Sequence, residues 1–258
     1  MIRILSGVAM AAVAVATVWF LTPLAMLGVV LVLAAAAFTE YAAIVGAIGA
    51  RVPWWTALVA TLGACAMVPF PWVSAEVVVV VALVGIAANV LASDRIGPPV
   101  LADTAAAVLA PVYIGLPLGA LVGVAAVAGR EAVLVLMGTV VASDTAQYYA
   151  GRAFGRTPLA PRRSPKKTIE GAVGGLVVAP AVLIVAGSYW LPGLDPLRLG
   201  VLGALLVGAG IVGDLFESML KRAADMKDSS HLIPGHGGVL DRIDALLFAA
   251  PIFYYFIR

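Results

Sequence analysis

Long apolar runs, broken at intervals by charges, proline and glycine, set the pattern of this chain. A helix that crosses the hydrocarbon of a bilayer needs about 20 mostly apolar residues. About nine runs of that order are present, at residues 4–21, 23–39, 52–74, 77–92, 104–129, 132–151, 171–190, 197–216 and 241–257. The first two are separated only by a tight reversal at Thr22-Pro23. With no water in the bilayer core, backbone groups must pair within each run, which selects helices. The period-2 alternation of a barrel strand is absent. The pattern predicts an all-α polytopic membrane protein of about nine transmembrane helices.

Composition agrees with this. Of 258 residues, 63% are hydrophobic and 12% charged, against roughly 45–50% and about 25% in an ordinary soluble domain. A soluble globule is excluded, and so is a disordered chain, which at this hydrophobicity would aggregate in water. Sixteen Lys plus Arg against fourteen Asp plus Glu leave a net charge of +2. Cations this sparse form no basic stripe, so no nucleic-acid partner is expected. Cys65 is the single cysteine and sits in an apolar run. That excludes an intramolecular disulfide and a Cys-based metal site, and marks Cys65 as a small packing residue.

The placement of the charges says more than their sum. Nine crossings assign Arg3, Arg51, Arg95, Arg152, Arg156, Arg162, Arg163, Lys166, Lys167, Lys221, Arg222, Lys227 and Arg242 to the side of the N-terminus. Arg130, Arg198 and Arg258 fall on the other, thirteen against three. The positive-inside rule then places the N-terminus and the two long polar loops, 152–170 and 217–240, in the cytoplasm. The start of the chain also fits a secretory signal peptide with Ala12-Val13-Ala14 as its cleavage site, and the orientation is the same either way.

Three places carry candidate chemistry. Ser143-Asp144 lies in the sixth run, roughly 10 Å from its cytoplasmic end by helical rise. An ionisable group at that depth marks a pathway or a site, the alternative being a cap or an interhelical hydrogen bond. Residues 151–170 carry six cations and three prolines. Ordinary attraction to anionic headgroups, about 1 kcal/mol per cation, accounts for such a run equally well. Ser164-Pro-Lys-Lys-Thr168 is more specific, because a rigid backbone beside two Lys and two hydroxyls can fix several donors around one phosphate group.

The third place is residues 214–244. Asp214, Glu217, Ser218 and Lys221 share one helix face, and Asp241 and Asp244 stand in the first turn of the last run. Pro234-Gly-His-Gly-Gly238 between them is a flexible turn whose N–H groups could approach phosphate oxygens. It is not a P-loop, whose Gly spacing and Lys-Ser/Thr are missing. A salt-bridged helix end is the plain alternative for the acids and bases, and His231 reads as a solvated loop histidine. Asp144, Asp214, Asp241 and Asp244 all come out near the cytoplasmic interface, opposite about ten loop cations. Carboxylates converging among cations suit a magnesium–polyphosphate site. Its position at the interface pairs a lipid with a soluble polyphosphate.

Ser218-Met-Leu-Lys-Arg222, Lys227-Asp228, Pro234-Gly-His-Gly-Gly238 and Asp241-Arg-Ile-Asp244 together resemble, over 27 consecutive positions without a gap, the signature of the phosphatidate cytidylyltransferases. Asp144-Thr-Ala-Gln-Tyr148 with Gly151 and Phe154-Gly155, and Ser164-Pro-Lys-Lys-Thr168 with Glu170-Gly171, are similar to family segments in the same order. Gln147 stands where the family more often has a small residue. The resemblance covers about Ala142 to Asp244, and the first half matches in hydropathy alone.

The resemblance implies a dimeric, Mg²⁺-dependent enzyme of the inner (plasma) membrane, with Mg²⁺ alone or beside a second cation. It would convert CTP and phosphatidate to CDP-diacylglycerol and pyrophosphate at the cytoplasmic face. Residues 1–130 would be a transmembrane scaffold, and residues 131–258 would carry the catalytic site. By resemblance, Asp214 and Asp241 are metal ligands, with Asp144 and Asp244 beside them. Catalytic roles fall to Asp214, Asp241, Lys221, Arg222, Lys227, Asp228 and His236. Ser164, Lys166, Lys167, Thr168, Ser218, Gly237, Gly238 and Arg242 would bind substrate. A transporter using Asp144 and Asp214 as coupling sites is the rival from another class, and it expects carboxylates near the midplane. A CTP-dependent lipid-alcohol kinase is the nearer rival.

Overall fold

The computed structural model describes residues 2–70, 72, 74–161 and 164–258, the first three by backbone alone. Arg162 and Arg163, and the side chain of Arg3, which enter the charge tally, lie outside the described residues. Nearly every apolar run is a helix. In order these are α1 (Ile2–Phe20), α2 (Pro23–Ala47), α3 (Trp54–Met67), α4 (Ala75–Leu91) and α5 (Pro99–Ala110). A π-helical turn, Pro111–Gly115, leads into α6 (Leu116–Phe154), and α7 (Ile169–Trp190), α8 (Pro196–Ala223) and α9 (Leu240–Ile257) follow.

Among the described residues four helical stretches are long and apolar enough to cross a membrane: Pro23–Ala47, Pro99–Phe154, Ile169–Trp190 and Pro196–Ala223. Helices α3 and α4 are apolar but shorter. Large apolar side chains such as Val79, Val80, Val81 and Val84 on α4, and Val173 and Val177 on α7, are exposed. Contiguous apolar surface of this kind is covered by lipid in a membrane and would be an aggregation liability in water. The chain is an all-α, multi-pass membrane protein.

The helix starts follow local chemistry. Thr22 caps α2 by accepting from the Ala25 N–H, with Pro23 at the first position, where its missing donor costs nothing. Thr168 caps α7 by accepting from Gly171 N at 3.1 Å. The 56-residue stretch Pro99–Phe154 is far longer than one crossing needs. It breaks at Gly129, which has φ 84° and ψ 174°, a conformation open to glycine and costly for a residue with a Cβ. The fifth and sixth apolar runs of the sequence meet at this break.

One part of the expected cytoplasmic loop is not loop. Pro158–Ala160 (β1) and Ser164–Thr168 (β2) pair as an antiparallel ribbon, Pro158 opposite Thr168 and Ala160 opposite Ser164. The three prolines shape it, because Pro158 and Pro165 need no ladder donor at an edge.

The chain divides into two compact units, Met1–Gly123 with Leu220–Arg242, and Val124–Met219 with Ile243–Arg258. In the first, α2 and α3 supply a core of Phe38, Tyr41, Ile44, Ala57 and Cys65, each fully buried. Gly115 lies against the Thr61 backbone and Gly119 against that of Cys65, leaving no space for a Cβ. Small residues permit such close helix approach. Asp103 accepts from Arg51 N at 2.6 Å and pairs with Arg95 at 2.8 Å, tying down the two connections on either side of α3 and α4. In the second unit, Gly203 of α8 sits on Pro180 of α7, and Gly213 of α8 sits on the Asp244 carbonyl of α9.

Candidate functional site

The sequence-predicted residues fall into two groups, one in each unit. In the first unit the chain leaves α8 at Lys221-Arg222 and returns to α9 through a loop closed on itself. Ile233 N donates to Gly237 O at 2.8 Å and His236 N donates to Ile233 O at 2.9 Å. Gly235 (φ 78°) and Gly237 (φ 81°) make the left-handed bends that this closure needs.

Asp241, in the first turn of α9, is the hub of this loop. Its Oδ2 accepts from Ser229 N, Ser229 Oγ and Gly238 N, all at 2.8 Å. Its Oδ1 pairs with the Lys221 ammonium, and the two side chains are 5% and 11% exposed. Every donor around Asp241 is matched to an anionic acceptor, so a buried pair here has the additional hydrogen bonds that make burial tolerable. The Gly238 N–H, expected from sequence to meet phosphate, is thus already committed to Asp241. A Cβ on Gly237 would meet Asp241 Oδ2 at 2.6 Å, so both glycines serve the carboxylate's seat.

Beside this hub lies a polar cavity of about 390 Å³ lined by Lys227, Asp228, His231, His236, Gly237 and Arg242. His231, set aside from sequence as a loop histidine, borders it. His236 is held through Nδ1, 2.9 Å from Ser6 Oγ of α1, and Ser6 Oγ also donates to Pro234 O at 3.1 Å. Lys227, Asp228 and Arg242 are exposed, as is Arg222, whose guanidinium donates to Met226 O at 3.2 Å. Two cations, Lys227 and Arg242, on a polar hollow suit an anionic ligand.

The second unit holds the other group. Lys167 of β2 reaches Asp214 Oδ2 of α8 at 2.6 Å. Asp144 of α6 interacts electrostatically with both Lys167 and Asp214. Ser218, one turn on from Asp214, donates to its Oδ1 at 3.3 Å, and Gln147 donates to Ser143 Oγ at 3.0 Å. Asp244 follows on α9, its Oδ1 accepting from Ala245 N at 2.8 Å and its carbonyl packed under Gly213, the neighbour of Asp214. Thr168 spends its hydroxyl on the cap of α7, while Lys166 is exposed and Ser164 begins β2.

Among the described residues no three carboxylate, His or Cys side chains are gathered closely enough to hold one metal ion by themselves. Mg²⁺ does not require that. It takes one or two carboxylates and completes its octahedron with phosphate oxygens and water. Asp214 already holds one positive charge, that of Lys167, within electrostatic reach of Asp144, and two carboxylates are a donor set that fits Mg²⁺.

One residue that sequence reasoning left out belongs to the first group. Glu40 of α2 is 5% exposed and accepts from Ser230 Oγ, Val239 N and Leu240 N at 2.7–2.9 Å, with the Ser229 hydroxyl, shared with Asp241, 3.0 Å away. A lone acid interrupting an apolar stretch was the available signal.

The model of the cytidylyltransferase family matches residues 1–258. The chain is 47% identical over 122 residues to the phosphatidate cytidylyltransferase of Pseudomonas aeruginosa, covering 47% of this chain and 45% of that one. It is 45% identical over 119 residues to that of Haemophilus influenzae, covering 45% and 41%. An Escherichia coli K12 protein named uncharacterized protein YnbB is 44% identical over 130 residues, covering 50% and 43%. The matched stretch therefore spans less than half the length of each of these curated relatives. With its match from end to end, this chain belongs to the cytidylyltransferase family.

Proposed function

We propose that the protein is a phosphatidate cytidylyltransferase, a nucleotidyltransferase that joins CTP and phosphatidate into CDP-diacylglycerol and releases pyrophosphate. The observation that carries this reading is the Asp241 hub. Lys221, Ser229, Gly237, Gly238 and Asp241, within the 218–244 stretch that resembles the family signature, build an ion-paired carboxylate seat beside a cavity lined by Lys227 and Arg242. The similarity to the Pseudomonas and Haemophilus phosphatidate cytidylyltransferases supports it.

A phosphate monoester, with a second pKa of about 6, is already nucleophilic at neutral pH. Its oxygen can attack the α-phosphorus of CTP without a strong general base, and the pyrophosphate leaves. The work left to the protein is positioning and charge neutralisation. Lys227, Arg242 and His236 line the space for phosphate oxygens, with Lys221 held ready by Asp241. Lys167 and Lys166 serve the second group. Asp144 and Asp214, with Asp244 behind them, would hold Mg²⁺, which when bound supplies Lewis-acid neutralisation of phosphate charge. Asp241 would offer a cation its Oδ1, the oxygen that receives only Lys221 among the described residues.

The same reading places nine crossings with a cytoplasmic N-terminus in the inner membrane, the site at the cytoplasmic face, and a homodimer as the working form. The test is conversion of phosphatidate by purified protein with CTP and Mg²⁺. The expected products are pyrophosphate and a CMP-containing lipid. Release of CDP instead would identify a lipid kinase, and no turnover with any divalent cation would remove the enzyme reading.

A further inference from the structure

Glu40 has no place in the chemistry described so far, yet it is buried where a carboxylate needs a reason. It sits between Phe38 and Tyr41, both fully buried. Oε1 accepts from Ser230 Oγ at 2.7 Å and Val239 N at 2.9 Å. Oε2 accepts from Leu240 N at 2.8 Å and lies 3.0 Å from Ser229 Oγ. The Val239 and Leu240 N–H groups are orphan donors at the start of α9, which a side chain just before the helix ordinarily satisfies. Position 238 is glycine and has none to offer. A Cβ there would meet both Glu40 oxygens at 2.5 Å, so Gly238 leaves room for a cap supplied from α2, about 200 residues away in sequence.

The two carboxylates share their anchors. Ser229 Oγ lies 2.8 Å from Asp241 Oδ2 and 3.0 Å from Glu40 Oε2. Gly238 donates to Asp241, and the next two N–H groups donate to Glu40. The orientation of Asp241 is therefore fixed by Ser229 and Gly238, and the positions of these are fixed by Glu40. We infer that Glu40 is a positioning residue for Asp241, acting through the Ser229–Ser230 and Gly238–Leu240 backbone. The inference rests on the reading of the protein as a cytidylyltransferase for its catalytic consequence, though not for its structural one.

The experiment compares full-length Glu40→Gln and Glu40→Asp with the wild type. Gln puts an amide donor against a backbone N–H, and Asp keeps two acceptor oxygens on a shorter stem. For Glu40→Gln the expected result is a kcat lowered about 30-fold with the KM for CTP within about threefold. Glu40→Asp should recover about fivefold over Gln. Undiminished kcat in Glu40→Gln, or a loss confined to KM, overturns the inference.

Hydrogen exchange supplies an arm independent of turnover. Amides of residues 227–242 should exchange about tenfold faster in Glu40→Gln, and unchanged exchange there overturns the proposal even where the wild type proves inactive. If Glu40→Gln fails to fold, Ser230→Ala carries the test. It removes one donor to Glu40 and leaves Asp241 untouched, with kcat expected to fall about fivefold, and wild-type kcat again counts against the inference.

Discussion

At the scale of single residues, the two aspartates expected to ligate metal are held in opposite ways, and their substitutions should separate accordingly. Asp241 is buried with four donors upon it. Asp241→Asn leaves the Lys221 ammonium beside an amide and is expected to cost about 3–5 kcal/mol of stability as well as activity. Asp214 and Lys167 have side chains 37% and 22% exposed. A pair so placed contributes at most about 1 kcal/mol, so Asp214→Asn should abolish turnover while the melting temperature in detergent stays within about 2 °C. Thermal shift and activity on the same preparations check both; equal melting losses would contradict the contrast. Asp214, Lys167 and Asp241 could be singled out in the sequence as candidates because they stand with other charges and hydroxyls in polar segments, 164–168 and 214–244. Glu40 was not. A hydropathy run drawn to Thr39 stops at the next residue because a carboxylate scores as an end, whereas α2 continues to Ala47 with that carboxylate satisfied by Ser230 Oγ, Val239 N and Leu240 N from far along the chain.

At the scale of elements, the apolar runs anticipated the helices well, because in hydrocarbon there is no competing backbone arrangement. The helices overran the runs wherever polar residues could be satisfied: α8 extends past 216 to Ala223, carrying Lys221 to its partner. The ribbon β1–β2 was illegible because its pairing depends on chain reversal between residues with no apolar alternation. The Gly129 break is the element-scale feature most open to test. Gly129→Ala places a Cβ at φ 84° and 3.2 Å from Glu131 Oε2, with an expected cost of about 1–3 kcal/mol. A lowered melting point with kcat per folded molecule preserved is the predicted result, and an unchanged melting point would show that the break is not held. Ser6→Ala tests the link from α1 to the Pro234–Gly238 turn. Loss of the Ser6–His236 bond should lower kcat about threefold, read in the same assay.

At the scale of the whole molecule, charge placement makes the topology testable. The proposed nine crossings would put residue 193 outside and residue 225 inside. Gly193 and Asp225 are both exposed, whereas native Cys65 is fully buried. A membrane-impermeant thiol reagent applied to intact cells should label Gly193→Cys and spare Asp225→Cys, and the reverse pattern would overturn the orientation. The shared seat of Glu40 and Gly238 carries a further consequence for how such proteins diverge. A side chain at 238 and a carboxylate at 40 claim the same volume. Lineages that exchange this glycine for a larger residue should have surrendered the acid first, so the two positions ought to vary in concert while their separate neighbours drift freely. Such paired drift would join the start of the chain to its signature by descent as well as by contact.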